Sequence, residues 1–159
     1  MAKKAPDTAK FEENIKTIIG EIKEYGFGML NDMIDPQFVD CNPEKMSCRV
    51  RYKKFRWMDN GRGEVHGGVV AAIMDTTMGI NAIALTDGGI SKSDMNVSFL
   101  RPFRGKSFIV ESEAVQLGSR VIRLIAKAFD EDTGKCLAVS TGNFMHVDYE
   151  TSGGKTLGV

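Results

Sequence analysis

The chain has 159 residues, 42% of them hydrophobic and 26% charged, which suits one domain with a sizeable core. Its 21 basic residues balance 21 acidic ones, so no overall charge favours binding to nucleic acid or to an anionic membrane. The three cysteines are odd in number and lack metal-site spacing, which indicates a reduced compartment and no bound metal. Because the N-terminus also lacks the apolar core of a signal peptide, we expect a cytoplasmic protein.

The first predicted element is an amphipathic helix over residues 8–25, preceded by disorder over residues 1–7. Its apolar residues recur at spacings of three and four among lysines and glutamates, which is typical of a surface helix laid over a core. They are Phe11, Ile15, Ile18, Ile19 and Ile22. Gly26 and Gly28 are expected to end this helix. Residues 29–44 carry little pattern beyond a short strand over 37–41.

Residues 45–53 alternate as in a strand, and an apolar run over residues 65–86 then predicts a long helix buried on all sides. The run is long enough to span a membrane, but it contains His66, Asp75, Asn81 and three glycines. No other segment resembles a span, so we expect no membrane association. Because one sheet and one N-terminal helix do not cover all faces of the long helix, we also expect a homo-oligomer.

Asp75 is the one formal charge in this apolar helix. Burying a carboxylate is costly unless a partner neutralises it or a reaction uses it. Its helical face carries small residues apart from Met78, so the carboxylate meets either a closely packed backbone or a ligand cavity. The helix begins at His66, Gly67 and Gly68, where backbone N–H groups and the positive end of the helix dipole lie. These features indicate two halves of a reaction site.

The second half of the chain alternates apolar and polar residues in segments that turn residues join, as in consecutive hairpins. The predicted strands cover residues 94–99, 107–117, 120–129 and 136–147, with Gly142 at a bulge or bend. One long buried helix with five or six antiparallel strands gives an α+β fold, and the length of the strands suits a curved sheet. We expect one domain over residues 8–150 and a flexible tail over residues 151–159.

Several common catalytic motifs are absent from the sequence. The glycines from Gly61 to Gly68 lack the spacing and the strand–helix context of a dinucleotide loop, and no P-loop or serine-hydrolase elbow occurs. Cysteine catalysis is disfavoured because each cysteine lies alone in a predicted strand. Taken alone, His66 fits a hydrogen bond at a helix start as well as a functional role, and Asn60 fits a turn.

Together these residues carry a family resemblance. Asn60, His66-Gly67-Gly68 six residues later, and Asp75 nine residues after His66 precede a strand that runs from Asp94 to Pro102. This pattern resembles the hotdog-fold acyl-CoA thioesterases, in particular the PaaI-like branch of phenylacetic acid degradation, which includes the thioesterase superfamily member 2 type. The resemblance implies a long central helix wrapped by a curved antiparallel sheet. It also implies homodimers that share active sites between subunits and pair into homotetramers.

The resemblance further implies roles for individual residues. Asp75 would be the catalytic carboxylate, acting as general base or as nucleophile. Gly67 or Gly68 would donate the backbone N–H that polarises the thioester carbonyl. Asn60 would position the water or the carbonyl, and His66 would hold Asn60. The helix start would come from one subunit and Asp75 from the other.

One position departs from the family pattern. Many members have Ser or Thr two residues before the Asp of the following strand, near the nucleophile or water. This chain has Lys92 there, flanked by Ser91 and Ser93. Ser93 is therefore a candidate helper in catalysis after a shift of one residue, and Ser91 and Lys92 stay open as alternatives.

The turn after this strand gathers the positive charges of Arg101, Arg104 and Lys106. It fits either a solvated turn or a site for the phosphates of coenzyme A, which Arg and Lys bind well. Met78 and Phe99 are candidates for the acyl pocket and suit an aryl or medium alkyl chain. Further candidates for its lining are Met58 and Met74.

We therefore expect a homo-oligomeric acyl-CoA thioesterase that forms a free acid and coenzyme A without a metal or redox cofactor. One alternative is a hotdog enoyl-CoA hydratase or dehydratase, which needs a paired Asp and His; here Asn60 occupies the place before His66. Another is a non-catalytic acyl-CoA-binding module, for which Asp75 has no evident use.

Overall fold

The computed structural model describes residues 7–26, 28–86 and 89–147. The predicted tail over 151–159, and all of the predicted N-terminal disorder except Asp7, lie outside the described residues. In chain order the elements are helices α1 (Thr8–Tyr25) and α2 (Leu30–Met33), strands β1 (Gln37–Asn42) and β2 (Ser47–Lys53), a 3-10 turn (Arg56–Met58), helix α3 (Gly67–Thr86), and strands β3 (Ile90–Phe99), β4 (Ser107–Leu117), β5 (Val121–Asp130) and β6 (Cys136–His146).

The six strands form one antiparallel sheet in the order β1-β2-β4-β5-β6-β3. Helix α3 contacts five of them, β2 through β6, and α1 packs on α3 and β1. This arrangement confirms the predicted α+β fold with a long central helix and an antiparallel sheet, and the sheet has six of the five or six strands expected. Because β3 is at one end of the order, its outer edge has no strand beside it among the described residues.

The burial of α3 is less complete than its sequence predicts. Val70, Ile73, Met74 and Met78 belong to the core, as the apolar composition requires. Although α3 is long and apolar enough to cross a bilayer, 61% of its apolar window is buried within this chain. One stripe is left half-buried or exposed: Ala71, Ala72, Asp75, Gly79 and Ile83. Within one chain α3 is therefore buried on most of its surface, and the expectation that a second subunit covers the remaining stripe stays a prediction.

The short helix α2 lies in a segment whose sequence shows no clear pattern. Four residues are too few to display a helical period, so periodicity gives no signal for it. Its Asn31 side chain accepts a hydrogen bond from the Thr76 hydroxyl at 2.9 Å, which attaches α2 to α3 one residue from Asp75. The apolar side chains of Leu30 and Met33 in α2, and that of Met29 just before it, are exposed.

The strand bounds agree with the predictions within about two residues except at β3, which begins at Ile90 and not at residue 94. The pairing of β3 with β6 shifts register between Lys92 and Asp94, so strict alternation begins only after this irregularity. Gly142 carries no bulge. A methyl group there would lie 3.2 Å from Met78 Sδ, so the glycine permits close approach of α3 to the sheet.

Candidate active site

Asp75 lies on the partly exposed stripe of α3, with 37% of its side chain accessible. Its Oδ2 atom forms an ion pair with the Lys92 ammonium, from strand β3. Oδ1 has no protein partner in the part of the chain that the structure describes. The helix therefore holds a paired carboxylate with one oxygen open, which is what a base or a nucleophile needs.

A β-bulge explains why Lys92 reaches Asp75. Residues directly opposite in an antiparallel pair share a face, and Lys92 lies opposite the buried Phe144. After the register shift, Asp94 lies opposite Asn143, while Met95 and Val97 pack against the core. The extra residue, Ser93, thus reverses the alternation and turns Lys92 towards α3. The signal in the sequence was the five-residue spacing between inward-facing Ile90 and Met95, which an unbroken strand cannot place on one face.

Ser93, the candidate helper in catalysis, makes its contacts away from Asp75. Its hydroxyl lies 3.0 Å from Asp94 Oδ2 and 3.2 Å from the Asn143 carbonyl oxygen. The Asn143 amide also donates to both carboxylate oxygens of Asp94. These contacts stabilise the bulge, so the structural role of Ser93 is to hold the turned strand; its predicted catalytic role stays a prediction.

The start of α3 presents a backbone donor. His66 Nδ1 accepts a hydrogen bond from the Gly68 N–H at 3.0 Å, and the His66 N–H donates to the Met58 carbonyl at 2.7 Å. The Gly67 N–H has no hydrogen-bond partner among the described residues. Of the two predicted donors, Gly67 is therefore the one left open, at the positive end of the helix dipole.

Asn60 closes the turn that leads into this helix. Its Oδ1 accepts hydrogen bonds from the backbone N–H groups of Arg62, at 2.8 Å, and Glu64, at 3.3 Å. Its side-chain amide is thereby oriented by the backbone, and no hydrogen bond joins it to His66 in the described structure. The predicted contact of Asn60 with substrate or water stays a prediction.

Phe99 and the methionines predicted to line the acyl pocket divide into two groups. Phe99 is 55% exposed, and its ring lies beside the helix start, since a methyl group on Gly67 would be 3.4 Å from Phe99 Cζ. Met58, Met74 and Met78 are fully buried in the core of the chain. Phe99 is thus the only one of these four with free surface next to the open Gly67 donor.

The three cations of the basic turn have different surroundings. The Arg101 guanidinium donates to the Cys136 carbonyl at 2.7 Å, and that of Arg104 donates to Glu64 at 2.6 Å. The Arg104 hydrogen bond holds the pKa of the Glu64 carboxyl below its usual range. Lys106 has no ion pair among the described residues and borders a cavity.

Other reactive groups lie away from this site. Burial raises the pKa of the Cys48 thiol far above its usual range, so this cysteine stays protonated and unreactive. The described residues contain no group of three or more His, Cys, Asp or Glu side chains arranged to hold a metal ion. His146 lies at the end of β6, where its Nε2 atom is 3.3 Å from the Gly118 carbonyl oxygen.

Comparison with known proteins gives one family and several similar structures. Residues 62–137 match the model of the thioesterase superfamily, a segment that runs from the turn before α3 to the start of β6. A Halobacterium salinarum protein named as a candidate esterase is 31% identical in an alignment of 115 positions, and the match covers 66% of this chain and 76% of the relative.

Two solved structures show the same architecture. The E. coli PaaI protein, from the phenylacetic acid degradation operon, aligns with a TM-score of 0.75 and 15% identity over 89% of this chain and 96% of its own. A Streptococcus mutans protein bound to acetyl-CoA aligns with a TM-score of 0.64 and 14% identity, over 70% of this chain and 88% of its own. These likenesses confirm the predicted hotdog fold.

Proposed function

Because this chain belongs to the thioesterase superfamily, it is a thioester hydrolase, and we propose that Asp75 carries out the attack on its acyl-CoA substrate. The observation that carries this proposal is the Asp75 carboxylate itself, with Oδ2 paired to Lys92 and Oδ1 open. Its pairing with Lys92 fixes the carboxylate on an otherwise apolar helix and still leaves one oxygen free, an arrangement typical of a catalytic group.

The chemistry follows from two groups. The open oxygen of Asp75 either takes a proton from a water that attacks the thioester carbon, or attacks that carbon itself. The Gly67 N–H, at the helix start, stabilises the oxyanion that forms on the carbonyl oxygen. In the first route, the proton taken from water goes to the sulfur of coenzyme A when the carbon–sulfur bond breaks. In the second, loss of the thiolate leaves an anhydride between the acyl group and Asp75, which water hydrolyses to the free acid, and a proton from that water goes to the sulfur. Water is the only other reactant.

The distance between these groups supports a site shared by two subunits. At about 1.5 Å of rise per residue, the amide of Gly67 lies roughly 12 Å along the axis from Asp75 in the same helix. One thioester carbon cannot meet both groups of one helix, whereas an antiparallel second helix would bring its own Asp75 close to this Gly67. The open edge of β3 and the uncovered stripe of α3 are the surfaces that such a homodimer would use. A homotetramer would be two such dimers.

The acyl group is proposed to be an aryl or a medium alkyl chain. Phe99 supports this, since its half-exposed ring lies against the helix start where the carbonyl would bind. An apolar acyl group gains free energy by covering this ring and the small residues of the α3 stripe. Charged acyl groups would find no such compensation there.

The test is release of coenzyme A thiol from a panel of short, medium and aryl acyl-CoA thioesters. Asp75→Asn keeps the size of the side chain, so folding should survive, while kcat should fall about a hundredfold or more. Asp132→Asn is the matched control, because that exposed carboxylate lies in the turn between β5 and β6 and forms no ion pair among the described residues. Near-normal hydrolysis by well-folded Asp75→Asn would contradict the proposal. Hydration of an enoyl-CoA, or binding without turnover, would instead favour the alternatives.

A further inference from the structure

Among the described residues, Lys92 carries the only amine that contacts Asp75. Its Nζ atom pairs with Oδ2, and the two side chains are both partly open, with 31% of Lys92 and 37% of Asp75 accessible. The hydroxyl group of the neighbouring Ser93 instead contacts Asp94 and the Asn143 carbonyl. Because a lysine amine is itself a nucleophile when it is neutral, Lys92 brings a second attacking atom to the proposed site.

The amine lies within reach of the carbon that the site is proposed to attack. In the nucleophilic route, the thioester carbon comes within about 3–3.5 Å of Asp75 Oδ1. Lys92 Nζ contacts the other oxygen of the same carboxylate, at the end of a flexible four-carbon stem. In the water route, the attacking water and the amine lie beside one carboxylate. In both routes Lys92 therefore competes with the proposed nucleophile for the same carbon.

An amine that attacks a thioester carbon forms an amide. The Lys92 ammonium first loses a proton to solvent, and the neutral amine then attacks the carbon. The carbon–sulfur bond breaks, and the thiolate of coenzyme A takes up the second proton of the amine. If an anhydride with Asp75 forms first, the same attack takes the acyl group from it and restores the carboxylate. In sum, one acyl-CoA and one lysine ammonium give acyl-lysine, coenzyme A and one proton.

Two opposing effects set the rate of this transfer. An ammonium does not attack, so the transfer waits for the rare neutral amine, and hydrolysis remains the usual outcome of a turnover. Proximity works in the other direction, since well-oriented groups reach effective concentrations of about 10⁵ M or more. Because an amide is far less reactive than a thioester, the acyl-lysine persists once it has formed and accumulates over many turnovers.

We propose that Lys92 is a site of self-acylation by the acyl-CoA substrate, an inference that rests on the proposed function. Acylation removes the positive charge of the lysine and so breaks the ion pair that orients the Asp75 carboxylate. It also leaves an acyl group attached beside that carboxylate. Each acylated chain therefore loses its hydrolytic activity, and the enzyme is inactivated gradually by its own substrate.

Incubation with the best acyl-CoA substrate, followed by mass spectrometry of peptides, tests this directly. The mass of the acyl group should appear on Lys92 on the order of tenfold faster, or more, than on two control lysines. Lys127 is exposed on β5 and controls for acylation from solution. Lys16 pairs with Glu12 at 2.6 Å on α1 and controls for the effect of an ion pair. Equal rates of acylation at all three lysines would overturn the inference.

Loss of activity over time provides a second readout. Lys92→Arg keeps a cation, but its guanidinium stays charged and does not attack. The rate of the wild type should therefore fall in proportion to the acylated fraction of Lys92, while the rate of the Arg variant stays constant. A wild type that keeps its full rate and an unmodified Lys92 over repeated turnovers would contradict the inference and leave the proposed function intact. If Lys92 is acylated selectively but coenzyme A is released only once per chain, the modification site stands and the proposed hydrolysis fails.

Discussion

The Lys92 ammonium from edge strand β3 is paired with the Asp75 carboxylate on the central helix α3. The contact depends on the bulge at Ser93, which turns Lys92 to the side of the strand that faces α3. Because only Oδ2 takes part in the ion pair, Lys92 fixes the orientation of the carboxylate and leaves Oδ1 open. A lysine thus takes the position where many members of the family have a hydroxyl residue.

Lys92→Met should lower kcat about tenfold or more and change KM little, because it frees the Asp75 carboxylate to rotate. Lys92→Arg retains a cation and should recover much of the loss. Steady-state kinetics on the best acyl-CoA substrate provide the measurement. In an Asp75→Asn background the Lys92→Met change should have almost no further effect, since it acts through the carboxylate. Independent, additive losses would show that Lys92 acts in another way.

The Asn60 side chain has an Oδ1 acceptor that holds the turn and an amide group that can donate to substrate, and substitution by Asp removes only the amide. Asn60→Asp keeps the Oδ1 acceptor for the Arg62 and Glu64 N–H groups but loses the Asn60 hydrogen bond to the Glu64 carboxyl and sets two carboxylates side by side, so Tm should fall, though less than in Asn60→Ala. Asn60→Ala removes both hydrogen bonds and should cost about 1–2 kcal/mol of unfolding free energy. If the amide donates to substrate, the Asp variant should still lose kcat. Full activity in stable Asn60→Asp would restrict Asn60 to the turn.

Subunit exchange tests the shared site. Gly67→Pro removes the open N–H at the first helical position, where proline is tolerated, and should be inactive. Mixing it with inactive Asp75→Asn should give hybrids with one site that carries both defects and one that carries neither. Activity should therefore reappear in purified hybrids. Verified hybrids that stay as inactive as their parents would place both groups in one subunit.

The ion pair between Arg51 and Glu131 should make the thermal stability of the protein depend on pH in the acidic range. Hydrogen bonds from Ser107 and then from Arg51 lower the pKa of Glu131 from 4.5 in the folded chain. The stabilisation from these contacts is therefore complete above about pH 4.5 and declines as the pH falls below that value. Glu131→Gln should thus lower Tm at pH 7 and differ less from the wild type near pH 3. Glu113→Gln, which breaks no ion pair among the described residues, is the control. Thermal unfolding across this pH range provides the measurement, and a difference in Tm that stays constant with pH would contradict the prediction.

Local sequence determined the main elements of the fold and the two halves of the site. The apolar run of α3 and the alternation in β4, β5 and β6 predict their structures because periodicity is set by neighbouring residues along the chain. The glycines at the helix start and the lone Asp75 were recognisable in the same way. Each of these features can be predicted from one continuous segment of the sequence.

The tertiary structure alone decided which of the charged residues meet. The bulge that turns Lys92 towards Asp75 depends on how β3 pairs with β6, and one extra residue there reverses every side chain before it. Arg104 pairs with Glu64, 40 residues earlier in the chain, whereas Arg101 of the same turn donates to the Cys136 carbonyl. Charges act through space over a few ångströms, so their partners are set by strand register and not by position along the chain.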